Sequence, residues 1–292
     1  MTHLTVVVLT YNEELHIGRC LRSLKAVADK IIVVDSGSND NTVAIAKSFN
    51  AEVLSNSWVS HGSQFNWTID QLSKETDWII RIDADEHLSD KLISDIKKLT
   101  PNLNPNINGI YFKRYIKFQN SLIRYGGIGG VESLRMFRYG FGRSETKLQD
   151  EHIVVSGKTT TYSGKLLDEN MQSLRWWIDK HNKYSSNEAY DVLYKKYIDN
   201  GKDGAQNFML KRWCKENLYY YMPKGIRAFA YFFYRYVFLF GFLDGLSGLK
   251  FHFFQACWYR FLVDSKIEEV ENLMHNEGMK FSEAVSNKLA ID

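Results

Sequence analysis

Trp78-Ile79-Ile80-Arg81-Ile82-Asp83-Ala84-Asp85-Glu86-His87-Leu88 is the stretch on which the reading of this chain turns. Apolar residues of strand character run directly into three acidic side chains within four positions. Isolated ionised carboxylates inside an apolar ladder are costly, so these belong at the strand's carboxyl end, where α/β sheets bind their ligands. On extended chain Asp83 and Asp85 point the same way. Two hard oxygen donors on one side suit Mg²⁺ or Mn²⁺ carrying phosphate oxygens. Alone, the motif also reads as a strand end followed by a helix N-cap, with Glu86 serving the helix dipole.

The sequence on the N-terminal side supplies the context. Leu4–Leu9 is a continuous apolar run of the kind found in buried parallel strands, followed by Thr10-Tyr11-Asn12-Glu13-Glu14. Leu15, Ile17, Cys20, Leu21 and Leu24 recur at helical spacing. Lys30–Val34 is a second strand, ending in Asp35-Ser36-Gly37-Ser38-Asn39-Asp40, with a helix predicted over Thr42–Phe49. Ala51–Leu54 reads as a third strand, Gln64–Lys74 as a helix, and Asp77–Ile82 as the strand bearing the acids. This alternation predicts an α/β fold, a largely parallel sheet with helices on both faces. No dinucleotide glycine fingerprint or phosphate-cradling P-loop is present. Acids stand instead at three strand ends: Glu13, Asp35 and Asp83/Asp85. A nucleotide there would be held by carboxylates on its base and ribose, with a metal screening its phosphates.

Further on, Asp90–Leu99 is predicted helical, and Gly109–Phe118 and Ser133–Tyr139 alternate like antiparallel strands. Gln149-Asp150-Glu151-His152 precedes the strand-like Ile153-Val154-Val155, and helix is expected from Leu174 onward. The 292 residues, 45% hydrophobic and 24% charged, are those of a globular protein able to bury a substantial core. Three cysteines, Cys20, Cys214 and Cys257, are too few and too scattered for a disulfide framework, which fits a reducing compartment. Leu4–Leu9 lacks the basic leader and cleavage site of a signal peptide. The formal net charge of +3 is uneven, since residues 171–263 hold 14 Lys and Arg against 7 Asp and Glu.

The three motifs in this order, Thr10–Glu14, Asp35–Thr42 and Asp83–Glu86, resemble the family 2 inverting glycosyltransferases, which have the GT-A fold. Arg135-Met136-Phe137-Arg138, the Asp150-Glu151-His152 segment and His181-Asn182-Lys183-Tyr184-Ser185 look like a small bacterial subgroup. Its members act on lipopolysaccharide core, O-antigen and capsule precursors. The resemblance implies a metal-dependent hexosyltransferase taking its sugar from a UDP-sugar. It assigns Asp35 to the uracil edge, the Thr10, Asn12 and Glu13 turn to the nucleoside, Asp83 to ribose, and Asp85 to the divalent cation. An inverting transfer needs a carboxylate to take the acceptor's proton. Asp150 and Glu151 are the candidates, and adjacent strand residues face oppositely, so only one can serve. An acidic turn before a strand explains both as well. Gln64, Asn66 and Trp67 resemble the family's helix beside the donor, although a polar helix face accounts for them too. Arg138 and Arg143 could approach phosphate or form a basic strand edge. The expected organisation is a nucleotide-sugar-binding catalytic domain over 1–170 and a helical region over 171–292 that meets the acceptor and the membrane.

Within that second region, Ala228–Leu243 is sixteen largely apolar residues interrupted by Arg235, short of the ~20 a spanning helix needs. With Lys224, Arg227, Arg235, Lys250 and Arg260 nearby it has the composition of an interfacial helix, and the expectation is partial membrane contact with Lys and Arg meeting anionic lipid, a core helix being the rival reading. The family resemblance implies a lipid-linked saccharide acceptor, hence a cytoplasmic enzyme peripheral to the inner face of the cytoplasmic membrane. Two other functions remain open. A nucleotidyltransferase would show a Gly-rich, Lys-bearing loop after strand one, where this chain is acidic. A basic, aromatic nucleic-acid binder would leave the acids at three strand ends unexplained, so nucleic acid is not an expected partner.

Overall fold

A computed structural model describes residues 3–145, 151–198 and 222–290. Asp150 and Cys214 lie outside the described residues. The chain divides into two compact units: one of Met1–Arg124 with Ile128–Met171, the other of Tyr125–Gly127 with Gln172–Asp292.

The first unit is built on one mixed sheet. Its strands are β1 (Leu4–Thr10), β2 (Lys30–Asp35), β3 (Glu52–Ser55), β4 (Trp78–Asp83), β5 (Glu86–Leu88), β6 (Ile107–Phe118), β7 (Ser121–Leu122), β8 (Val131–Arg138) and β11 (Lys158–Glu169). They are ordered β3-β2-β1-β4-β8-β6-β11-β5, with β7 pairing β6. The pairs β3–β2, β2–β1, β1–β4 and β6–β11 are parallel, while β8 and the short β5 run against their neighbours. The sheet is therefore mostly parallel. A separate hairpin joins β9 (Gly142–Ser144) to β10 (Ile153–Val155).

Four helices cover the sheet: α1 (Ile17–Leu24), α2 (Thr42–Ser48), α3 (His61–Gln71) and α4 (Asp90–Leu99). β1 is buried along its whole length because its two sides feed two cores. Val6 and Val8 pack with α1 and α4 residues such as Leu21 and Leu92, whereas Val7 and Leu9 pack with Phe65 and Ile69 of α3. The uninterrupted apolar run thus has a direct cause: neither face of the strand meets water.

Two elements differ from the sequence expectation. Residues 158–169 form a long strand that the sequence reading leaves unassigned, and Glu86 opens β5 instead of serving the dipole of α4. That helix starts at Asp90, and Ser89 caps it by accepting the N–H of Leu92.

The second unit contains helix Leu174–Tyr197 (α5) and the helices Ile226–Phe233, Gly245–His252, Tyr259–Asn276 and Phe281–Leu289. Its core joins three of them, with Ala189 and Leu193 of α5 against Val263, Ile267, Val270, Ala284 and Val285. The aromatic run is not one continuous helix. It widens into π-turns over Tyr234–Phe238 and breaks at Phe240, whose φ of 59° lies in the left-handed region. The expectation of an interfacial helix whose Lys and Arg meet lipid is corrected for Arg227 and Arg235. Both are buried, Arg227 paired with Asp264 and Arg235 donating to the carbonyl of Gly126 at 3.0 Å. Lys224 pairs with Glu271.

Candidate active site

The register of the three central strands brings the acidic motifs together. Thr10 of β1 sits beside Asp35 of β2, and Leu9 beside Asp83 of β4. Three carboxyl ends that are far apart in sequence thus share one edge, the ligand-binding edge of an α/β sheet.

The turn after β1 is bolted to the loop after β2. The N–H of Asn12 donates to Ser38 Oγ (2.8 Å) and that of Glu13 to Thr42 Oγ1 (2.7 Å). The Asn39 N–H returns a bond to Asn12 Oδ1 at 2.9 Å. Asn12 has φ 54°, a conformation asparagine tolerates better than most residues. Glu13 is held by His16, whose Nε2 accepts the N–H of Met171 (2.8 Å), leaving Nδ1 to donate to Glu13 Oε2 at 2.5 Å.

Asp35 is 5% exposed and shapes its own loop. Its Oδ2 accepts the N–H groups of Gly37 and Ser38, both at 2.9 Å, and its Oδ1 the hydroxyl of Ser38 at 2.5 Å. Gly37 makes this turn possible at φ 95°. Gln64 of α3 closes the loop from behind, donating to Ser36 Oγ (2.7 Å) and to the carbonyl of Asn56 (3.0 Å). Asn66 is bonded both ways to the backbone of Ser144.

At the end of β4, four charged side chains gather around Asp83. Arg135 Nη2 donates to Glu86 Oε1 (2.6 Å) and lies 3.3 Å from Asp83 Oδ2. Arg81 Nη2 lies 3.7 Å from Asp83 Oδ1 and donates to Glu151 Oε1 at 3.1 Å. Glu86, 1% exposed, also accepts the N–H of Asp83 on Oε2 (3.1 Å). The two acids are driven apart. Burial opposes ionisation of Asp83, but the guanidiniums of Arg135 and Arg81 outweigh it and hold that carboxyl well below the usual range. Burial pushes Glu86 up to about 8, against the pull of Arg135 and with the charge of Asp83 adding to the rise. Paired acids split in this way are a common property of functional sites.

Asp85 lies in the turn between β4 and β5, with its backbone fixed. Its carbonyl accepts the N–H of Glu169 (3.1 Å) and Arg19 Nη2 (3.3 Å), and Arg19 Nη1 is held by Glu169 Oε2 at 2.6 Å. Among the described residues no three or more His, Cys, Asp or Glu gather as a metal cage. The donor set fits a cation that brings most of its oxygen ligands with it, from phosphate and water. Thr10 Oγ1, Asp83 Oδ1, Arg81 Nε and Arg135 Nε are buried and make no hydrogen bond among the described residues. Buried polar atoms rarely lack partners, so their clustering at one sheet edge points to a polar ligand.

Of the residues singled out from sequence, Thr10, Asn12, Glu13, Asp35, Asp83 and Asp85 fall on this edge. Glu151 reaches it through Arg81, a residue that the motif reading had not given a role. Arg81 and Arg135 could have been noticed as arginines inside apolar strand sequences, since a buried arginine needs an acidic partner. Arg138 and Arg143 are employed elsewhere: Arg138 lies over the Trp78 ring and Arg143 pairs with Asp70. His181 stacks on Trp177 with ring centroids 3.5 Å apart, a packing role.

The model of one protein family, described as Glycosyl transferase family 2, matches residues 5–169. An uncharacterized glycosyltransferase of Rickettsia typhi is 28% identical over 287 residues, covering 92% of this chain and 88% of its own. The lipopolysaccharide core biosynthesis glycosyltransferase LpsC of Rhizobium meliloti is 30% identical over 197 residues, covering 64% of this chain and 70% of its own. Among solved structures, glucosyl-3-phosphoglycerate synthase from Mycobacterium tuberculosis, in complex with Mn²⁺, UDP and glucosyl-3-phosphoglycerate, is 23% identical. That match covers 40% of this chain and 44% of the other, with a TM-score of 0.33.

Proposed function

Since the chain belongs to glycosyl transferase family 2, it is a glycosyltransferase, and we propose that it moves a sugar from a UDP-sugar to a lipid-linked saccharide with inversion. The setting is bacterial cell-surface polysaccharide synthesis at the cytoplasmic face of the membrane, and the similarity to LpsC supports a lipopolysaccharide core or related acceptor. One observation carries the reading. The carboxyl ends of β2, β1 and β4 meet in register, and Arg81 joins Glu151 to Asp83 there.

In this reading Thr10, Asn12 and Glu13 line the nucleoside, Asp35 meets the uracil edge and Asp83 the ribose. Asp85 would hold Mg²⁺ or Mn²⁺, which would supply positive charge to the departing diphosphate. Glu151 accepts the proton of the acceptor hydroxyl as that oxygen attacks the anomeric carbon. The bond from this carbon to the diphosphate breaks on the opposite side, and the nucleoside diphosphate leaves with the electron pair. Arg81 fixes the Glu151 carboxylate, so that the base does not have to be oriented at the moment of reaction.

The test is Glu151→Gln. Loss of a general base should lower kcat by about 10²–10⁴-fold with UDP affinity by calorimetry retained. Asp150→Asn is its paired control and should keep most activity. A dead Asp150→Asn beside an active Glu151→Gln would move the base to the neighbouring residue. Two active variants would place it outside this segment.

A further inference from the structure

We propose that residues 226–253 form a membrane wedge, a bent aromatic hairpin that enters one leaflet of an anionic bilayer without crossing it. No single described helix is long and apolar enough to cross a membrane, yet the pair Ile226–Phe238 and Gly241–Asn276, bent by 74°, has the required length and composition. The bend lies at Leu239 and Phe240, between a π-widened turn and a 3₁₀ turn at Gly241–Asp244.

Three observations favour lipid as the occupant. The first is packing. Among the described residues the core of the second unit takes none from this segment, while Phe229, Phe233, Phe238, Phe240, Leu243 and Leu246 are exposed, Phe238 by 62% and Leu246 by 66%. An apolar surface of that extent is a binding surface.

The second is the backbone. A break in a helix that enters hydrocarbon must satisfy its own polar groups. Here the N–H groups of Leu239, Phe240 and Leu243 donate to the carbonyls of Tyr234, Val237 and Phe240. The Leu239 carbonyl accepts the N–H of Gly126 at 2.8 Å. Gly126 is needed there: a Cβ would come within 2.0 Å of the His252 ring.

The third is charge. Of the four charged residues between 226 and 253, Arg227 and Arg235 are buried, and Asp244 is half-buried and accepts the N–H of Tyr125. Lys250 is exposed, and within 226–253 no carboxylate is fully exposed, so this segment presents apolar rings and one cation. That pattern complements an anionic headgroup layer.

The inference rests on the lipid-linked acceptor reading for its purpose, but vesicle binding needs neither donor nor catalysis, so the two fail separately. The purified full chain should co-sediment with phosphatidylglycerol–phosphatidylethanolamine vesicles and more weakly with phosphatidylcholine vesicles. Because the arginines are internal, most binding should survive high salt. The triple variant Phe233→Ser, Phe238→Ser, Leu246→Ser should lose binding by about ten-fold or more, with its far-UV spectrum and melting midpoint unchanged. If that variant does not fold, a fluorophore on Leu246→Cys decides. It should shift to the blue on vesicles and be quenched by nitroxide lipid, and the same fluorophore on Ser286→Cys should not. No vesicle binding by the native chain overturns the proposal. So does a dimer in light scattering that dissociates in the triple variant while vesicle binding persists, because the face would then belong to a second copy. Loss of sugar transfer with vesicle binding intact would strike the acceptor reading alone.

Discussion

Arg81 on β4 and Arg135 on β8 stand one step beyond the paired residues Ile80 and Met136, so two guanidiniums meet on neighbouring strands. Buried cations this close need anions among them, and Asp83, Glu86 and Glu151 provide these. Removing one cation should expose the dependence. Arg135→Met leaves the ionised Asp83 carboxylate without the guanidinium that most lowers it and should cost roughly 3–5 kcal/mol in a denaturant titration. Adding Asp83→Asn should restore much of it, because the second change removes the stranded charge. Additive losses would show that the two side chains do not work as a pair. The acids of this cluster were legible from the order of the motifs. The arginines were legible only as charges inside apolar strands that need acidic partners; which acids they meet is set by cross-strand neighbours 49 to 70 residues away, which no local pattern encodes.

Between elements, the contact of α4 with β11 is set by Gly164 and Asp95. A Cβ on Gly164 would lie 2.3 Å from the backbone of Leu92, so only glycine allows this approach. Asp95 Oδ2 accepts the N–H of Gly164 (2.8 Å) and the hydroxyl of Ser163 (3.0 Å), and Oδ1 pairs with Lys91. Burial alone would raise the Asp95 carboxyl, but the bonds from Lys91, Gly164 and Ser163 outweigh it and hold its pKa below the ordinary value. A depressed acid contributes stability above its unfolded pKa and loses it as pH falls through its folded pKa. Asp95→Ala should therefore cost about 1–3 kcal/mol near neutral pH, by stranding a buried N–H, with the penalty shrinking as pH falls below the unfolded carboxyl's pKa of about 3.9. A melting difference that does not change with pH would mean the carboxylate charge plays no part. The same glycine hid β11 from the sequence. Lys158–Glu169 alternates, burying Tyr162, Gly164 and Leu166, but a polar strand with a glycine at its centre carries the signal of a turn. The parallel strands were plain because burial on both faces leaves a continuous apolar run. The aromatic run concealed its own break, since Phe240 in a left-handed conformation is not a residue that announces a bend.

At the scale of the molecule, the two units divide the sequence's chemistry. The first carries acids at the edge of a mostly parallel sheet, with buried arginines holding them in place. The second joins a small helical core to an exposed aromatic hairpin whose arginines are tied inward. The surplus of basic residues over 171–263 therefore did not translate into a basic surface along the hairpin. Composition counts charges, while burial decides which of them solvent or lipid can meet. In the proposed reading the acids at the end of β4 serve sugar transfer. Its most direct test follows release of UDP and labelling of a lipid-linked acceptor by the purified chain and by Asp85→Asn, each at saturating Mn²⁺ with a panel of UDP-sugars. The native chain should transfer a sugar, whereas the variant, with an unchanged melting midpoint, should lose at least about a hundred-fold in turnover. Near-native turnover by Asp85→Asn under those conditions would remove Asp85 from the chemistry of transfer.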